Sequence, residues 1–194
     1  DIKTMEEALS LVKRRAIAQH VIHEKESSAV IVSPIRQWRL SEPFEQLRKA
    51  SERHAETSGQ RPTVHLVNLG SIPKHKARAD FMTGFFEAGG FTVVKNDGYM
   101  TIEEAVNGIL EANGTHYIIC GTDDDYVDAV PHIVRQVKTE KSDVRIYVAG
   151  KQPSHIEATF IEAGVNGFIH IGSNCYDTIF AFMKAMGVNV DGEH

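Results

Sequence analysis

The sequence predicts an α/β fold built on a five-stranded parallel sheet, and three observations carry that prediction. From Val64 onward, short runs rich in β-branched and aromatic residues alternate with amphipathic stretches of helical length. Several of those stretches end in Gly, as helix C-termini favour. The chain has 194 residues, 42% of them hydrophobic, enough to bury a core on both faces of a sheet.

Taken in order, the expected strands are VHLVNL (64–69), FTVVK (91–95), THYIIC (115–120), RIYVAG (145–150) and GFIHI (167–171). The helices between them are KHKARADFMTGFFEAG (74–89), TIEEAVNGILEANG (101–114), DDDYVDAVPHIVRQVKT (123–139) and SHIEATFIEAG (154–164), with a last one at NCYDTIFAFMKAMG (174–187). Short loops make each crossover right-handed. The simplest strand order is 2-1-3-4-5, a flavodoxin-like (Rossmann-like) sheet. Its ligand crevice lies beyond the C-terminal ends of the first and third strands, here between NLGSIPKH (68–75) and CGTDDD (120–125).

Residues 1–61 lack this alternation and read as a mostly helical arm or linker before an α/β domain at 62–194. The arm holds a helix at 6–19, a lone strand AVIVS (29–33), a second helix at 42–54 and a polar linker HAETSGQRPT (54–63). Such short elements cannot cover their own apolar residues, Trp38 among them, so the arm is expected to pack on its own α/β domain or on a partner. The chain does not begin with Met and is expected to be a fragment.

A formal net charge of -5 and a pI near 6.1 give no electrostatic reason to expect nucleic acid or an anionic membrane surface as partner. Two cysteines without CxxC or zinc spacing argue against a disulfide framework, so a cytoplasmic location is expected. No apolar run approaches the roughly 20 residues of a membrane span.

Three features could carry chemistry. The first is the run Asp123–Asp124–Asp125–Tyr126, which follows a strand and could hold a metal or accept a phosphoryl group as in response-regulator receivers. A receiver-like phosphoacceptor also needs acidic residues after the first strand, a hydroxyl after the fourth and a lysine after the fifth. Those places read Asn68-Leu69-Gly70, Ala149-Gly150 and His170-Ile171-Gly172, so the aspartates are expected to cap and charge-complement the N-terminus of the next helix instead. The second feature is the set of ten scattered histidines, with no HExxH spacing. His75 and His170 fall at the ligand end of the sheet, His65 at the opposite end and His132 on a helix; no metal site is expected unless His75 binds cobalt. The third is the glycines at strand ends, Gly70, Gly150 and Gly172, which with His75 and Thr122 are the candidate crevice residues. Cys120, ending an apolar strand, is expected to be a small buried hydrophobe.

The run VHLVNLGSIPKHKARADFMTGFFEAGGFTVV, the helix ending in EANG, the strand ending in CGTDDD, and IEATFIEAGVNGFIHIGSN together resemble the cobalamin-binding domain of methylmalonyl-CoA mutase. The upstream RLSEPFEQLRKASERH resembles the segment that joins that enzyme's barrel to its cobalamin domain. The wording RADFMTGFFEAGGF is most similar to the small, non-catalytic subunit of the heterodimeric bacterial enzyme. The resemblance runs over roughly residues 40–188 and implies an adenosylcobalamin-dependent isomerase that interconverts methylmalonyl-CoA and succinyl-CoA. It also implies a missing upstream barrel and a large catalytic subunit as partner.

Cobalamin-binding members carry Asp-x-His-x-x-Gly in the first loop, where the histidine ligates cobalt and the aspartate orients it. Counted from Gly70, those three positions are Ile72, Lys74 and Ala77. A lysine ammonium has no lone pair to offer, and isoleucine cannot orient an imidazole. His75 is one residue late, turned by about 100 degrees on a helix. The Ser-x-Leu of the third strand reads Cys120-Gly121-Thr122, the paired glycine after the fourth reads Ala149-Gly150, and Tyr99, Tyr126 and Lys74 add bulk. The expectation is therefore a degenerate domain that binds no cofactor itself and supports assembly. A functional cobalamin domain using His75, or a receiver-like phosphoacceptor, stands as the alternative.

Overall fold

The computed structural model describes residues 41–190 of the chain, which fall within one compact unit, Arg39–His194. The helix at 6–19, the strand at 29–33 and Trp38 lie outside the described residues. In chain order the elements are α1 (Glu42–Ser58), β1 (Thr63–Asn68), α2 (Ile72–Glu87), β2 (Thr92–Val94), α3 (Ile102–Glu111), β3 (His116–Cys120), α4 (Asp123–Glu140), β4 (Arg145–Ala149), α5 (Ser154–Ala163), β5 (Gly167–Ile169) and α6 (Cys175–Ala185). All strand pairs are parallel and the order is β2-β1-β3-β4-β5, the flavodoxin-like arrangement expected. Among the described residues no helix is long and apolar enough to cross a membrane.

Successive side chains of a strand point to opposite faces, so each central strand feeds two cores. Leu66, Ile118 and Cys120 pack against α2 and α6 through Met82, Phe86, Ile179 and Phe182. Val67, Ile119 and Val148 pack against α3, α4 and α5 through Ile109, Val130, Val134 and Phe160. Helices on both faces are why these strands read as near-continuous apolar runs.

Element ends differ from the sequence expectation for identifiable reasons. The edge strands β2 and β5 pair over three residues each, not five. α2 starts at Ile72, two residues before the expected start, because Pro73 suits the first helical turn, where its missing N–H has no partner to lose. α1 continues to Ser58, through the first half of the expected linker, and Gly59 closes it in the left-handed conformation. This helix lies on the domain itself: Leu47 and Ala50 are buried, Ser51 Oγ donates to the Gly90 carbonyl at 2.7 Å, and Arg48 reaches the Ala88 carbonyl at 2.9 Å. Phe44 meets Tyr176 of α6 edge to face.

Candidate functional site

The crevice at the C-terminal ends of β1 and β3 starts from Gly70, whose φ of 69° turns the chain out of β1. Its N–H donates to the Tyr99 carbonyl and Tyr99 N–H to the Asn68 carbonyl, extending the β1 side of the sheet by one bridge. Asn68 and Asn96 clamp each other by three hydrogen bonds between side chain and backbone. The side chain of His75 folds back into this loop. Its Nδ1 donates to the Gly70 carbonyl at 3.2 Å, and only 5% of the residue is exposed. Gly98, at φ 118°, covers it: a Cβ there would collide with the Gly70 carbonyl oxygen and lie 2.9 Å from His75 Cε1. His75 is thus a brace for the loop and borders neither of the clefts at this end.

Two ion pairs cross the crevice from α2 to the first turn of α4. Lys74 Nζ sits 2.8 Å and 3.2 Å from the two carboxylate oxygens of Asp125. One turn further along α2, Arg78 donates to Asp123 and to the Gly121 carbonyl, both at 2.6 Å, with its guanidinium 4.9 Å from the centre of the Tyr126 ring. Gln152, following β4, also donates to Asp123 at 2.6 Å, so three segments converge on one carboxylate. Hydrogen bonds from Lys74 and Thr122 hold the Asp125 carboxyl below the usual carboxylate range, and those from Gln152 and Arg78 do the same for Asp123.

Beneath the ion pairs, Tyr126 is fully buried and ties the strand ends together. Its hydroxyl accepts from Gly121 N–H at 2.9 Å and lies 2.9 Å and 3.1 Å from the carbonyls of Ala149 and Ile119. Burial pushes the Cys120 thiol up to about 12, the inert buried hydrophobe expected of it.

The candidate residues are therefore distributed, not gathered. Gly70 borders a cleft of about 320 Å³ between the β1 loop, Tyr99 to Ile102, and α4. Gly150 and Gly172 border a second, about 500 Å³, floored by Met82 and Ile169 and flanked by Arg78. Gly150 has φ 112°, and a Cβ there would sit 3.1 Å from the Arg78 guanidinium. Thr122 is the N-cap of α4, its Oγ1 accepting from Asp125 N–H, so the cap is this hydroxyl and not one of the aspartates. The aspartates carry the cross-crevice pairs instead. Sequence reasoning missed Arg78, Gln152 and Gly98. A signal for Arg78 was present: Lys74 and Arg78 share a helix face at i, i+4, opposite an acidic helix start.

The residues present do not fit a cobalamin. A lower ligand would need an imidazole free to approach the metal, and the one imidazole in this loop is tucked under Gly98 while Lys74 is held by Asp125. Among the described residues no group of three or more His, Cys, Asp or Glu could hold a metal ion.

No family model matches the chain. It is similar to the methylmalonyl-CoA mutase small subunit of Porphyromonas gingivalis, with 28% identity over 81% of this chain and 24% of that protein. It is also similar to the small subunit from Streptomyces virginiae, at 27% over 77% and 23%. A probable small subunit from Mycobacterium bovis matches at 31% over 69% and 22%. In fold alone it is like a CheY-like protein from Pseudomonas aeruginosa, with a TM-score of 0.51 and 15% identity over 66% of this chain and 94% of that one. The chain spans about a quarter of the length of the curated relatives it matches. Its curated relatives are thus methylmalonyl-CoA mutase small subunits, met here in a five-stranded flavodoxin-like domain.

Proposed function

We propose that this chain is a cobalamin-free, non-catalytic domain of a methylmalonyl-CoA mutase small subunit, serving assembly with a large catalytic subunit. The complete enzyme would interconvert methylmalonyl-CoA and succinyl-CoA by adenosylcobalamin chemistry in the large subunit, in the cytoplasm. The observation that carries this reading is the occupied ligating position: Lys74 is paired with Asp125, Arg78–Asp123 bridges α2 to α4 beside it, and His75 is bonded to its own loop. The curated relatives support the small-subunit part of the reading.

The test uses the full chain incubated with hydroxocobalamin or adenosylcobalamin and then desalted. The protein is expected to emerge colourless. A retained red chromophore, lost on His75→Ala, would establish a working cobalamin domain and sink the proposal. Assembly is tested separately, by co-expression with the large subunit of the same source; failure of the two to co-purify counts against the partner role whatever the cobalamin result.

A further inference from the structure

The opposite end of the sheet, where strands begin and helices finish, is built differently. The last carbonyls of α1, α3 and α6 gather there, and such carbonyls normally attract whatever cations are near. Several of those of α3 and α6 are bonded already. Lys141 Nζ reaches the Ala112 carbonyl at 2.9 Å, and the N–H groups of Met186, Gly187 and Val188 close α6. Other basic groups stand at this end as well.

Those groups border a cleft of about 750 Å³, a size that takes a nucleotide-sized molecule. Arg61, Arg145, His54, His65 and His116 all contribute, against a single carboxylate among the described residues, Asp143. Arg61 has one ion pair, a loose 3.7 Å contact with Glu52. Among the described residues, no carboxylate lies within 4.0 Å of Arg145, His54 or His65. His116 is 98% buried at the start of β3; Thr115 Oγ1 bonds its Nδ1 at 2.9 Å, and its Nε2 has no hydrogen-bond partner. Thr63 and Asn113 on the rim add neutral donors. Two guanidinium groups, one loosely paired with Glu52 and the other with no carboxylate within 4.0 Å among the described residues, together with neutral donors in one cleft, are the ingredients of an oxyanion site.

We propose that this cleft binds a phosphorylated small molecule, with Arg61 and Arg145 on the phosphate oxygens and the imidazoles of His54 and His65 as hydrogen-bond partners beside them. Guanidinium forks match the phosphate tetrahedron in pairs, which favours phosphate over a single carboxylate. The site is separate from the crevice and independent of the reading given for it.

The probe is inorganic pyrophosphate, titrated into the full chain at constant ionic strength while the histidine ring resonances are followed by NMR. Saturating shifts of His54 and His65 are expected. Arg145→Gln should weaken binding by about tenfold or more, the loss of a charge-assisted contact, while Lys151→Gln at the other end of the sheet should change it by less than about twofold. If Arg145→Gln fails to fold, Arg61→Gln, with its half-exposed side chain, reads the same loss. Shifts that rise without saturating, equal loss in Lys151→Gln, or citrate binding as tightly as pyrophosphate would each overturn the proposal.

Discussion

At the C-terminal ends of the strands basic side chains meet acidic ones; at the N-terminal ends they border open space. Lys74 and Arg78 each hold an aspartate within 2.8 Å, whereas Arg145 has no carboxylate within 4.0 Å among the described residues. Both ends belong to one sheet with one backbone plan, so the difference lies in where side chains fall. α2 carries two cations one turn apart, facing the first turn of α4, where Asp123 and Asp125 stand. At the usual ligand end of a doubly wound sheet, four charged residues bridge α2 to α4 and line two smaller clefts, while the end that this architecture seldom uses holds a cleft of about 750 Å³.

The largest expected effect comes from removing Tyr126. Tyr126→Ala should cost about 3–5 kcal/mol, as for other buried aromatic truncations, and Tyr126→Phe about 1–3 kcal/mol, because Gly121 N–H loses its buried acceptor. Urea unfolding measures both. A Tyr126→Phe variant as stable as the parent would mean that the ring alone closes this end and the hydroxyl tie is idle.

Next comes a pH effect confined to the open end. Burial lowers His116 from its ordinary value to about 4, so between about pH 6.5 and 4 the unfolded chain binds a proton that the folded chain refuses. Stability should therefore fall as pH drops through that window. His116→Phe, which keeps a ring against Tyr147 and Phe182, should flatten the slope in urea midpoints. An unchanged slope would assign it to other groups.

The smallest effect is expected at the ion pairs. Lys74→Ala should cost about 0–1 kcal/mol, since the Lys74 side chain is half exposed. Because Asp125 and Asp123 titrate below the ordinary carboxylate value of about 4, their pairs stabilise the fold above that pH and are lost as pH falls through the folded values. Lys74→Ala should accordingly soften acid unfolding below about pH 4. A loss well beyond the surface range at neutral pH would show that the crevice is held by its charges more than by Tyr126.

The strand order was legible in the sequence because the central apolar runs are buried on both faces and every run is separated from the next by a helix-length interval. The extents were less so. Lys95 ends an apolar run yet lies beyond β2, and His170 turns away from β5 to accept Gly172 N–H. Neither departure has a local signature. At the site, the replacement of Asp-x-His-x-x-Gly by Ile72, Lys74 and Ala77 is a matter of residue types alone, so the proposal of a cobalamin-free domain could start from the sequence. The role of Arg78 was not readable there, because Asp123 is 45 residues away and their meeting depends on the helix faces that the finished sheet sets opposite each other. The inward turn of His75 was hidden for a similar reason: it depends on Gly98 offering no side chain.

The short edge strands have a consequence for how such a domain meets other proteins. β2 and β5 each present three residues at the margin, fewer than the five or so of an ordinary strand. An incoming extended segment would find too few free backbone groups to register against, and the sheet ends where it stands. Recognition by strand addition is thereby disfavoured at both margins. Association falls instead to side chains, and isoleucine at position 171, 92% exposed in the turn after β5, is the most prominent apolar one that the domain offers.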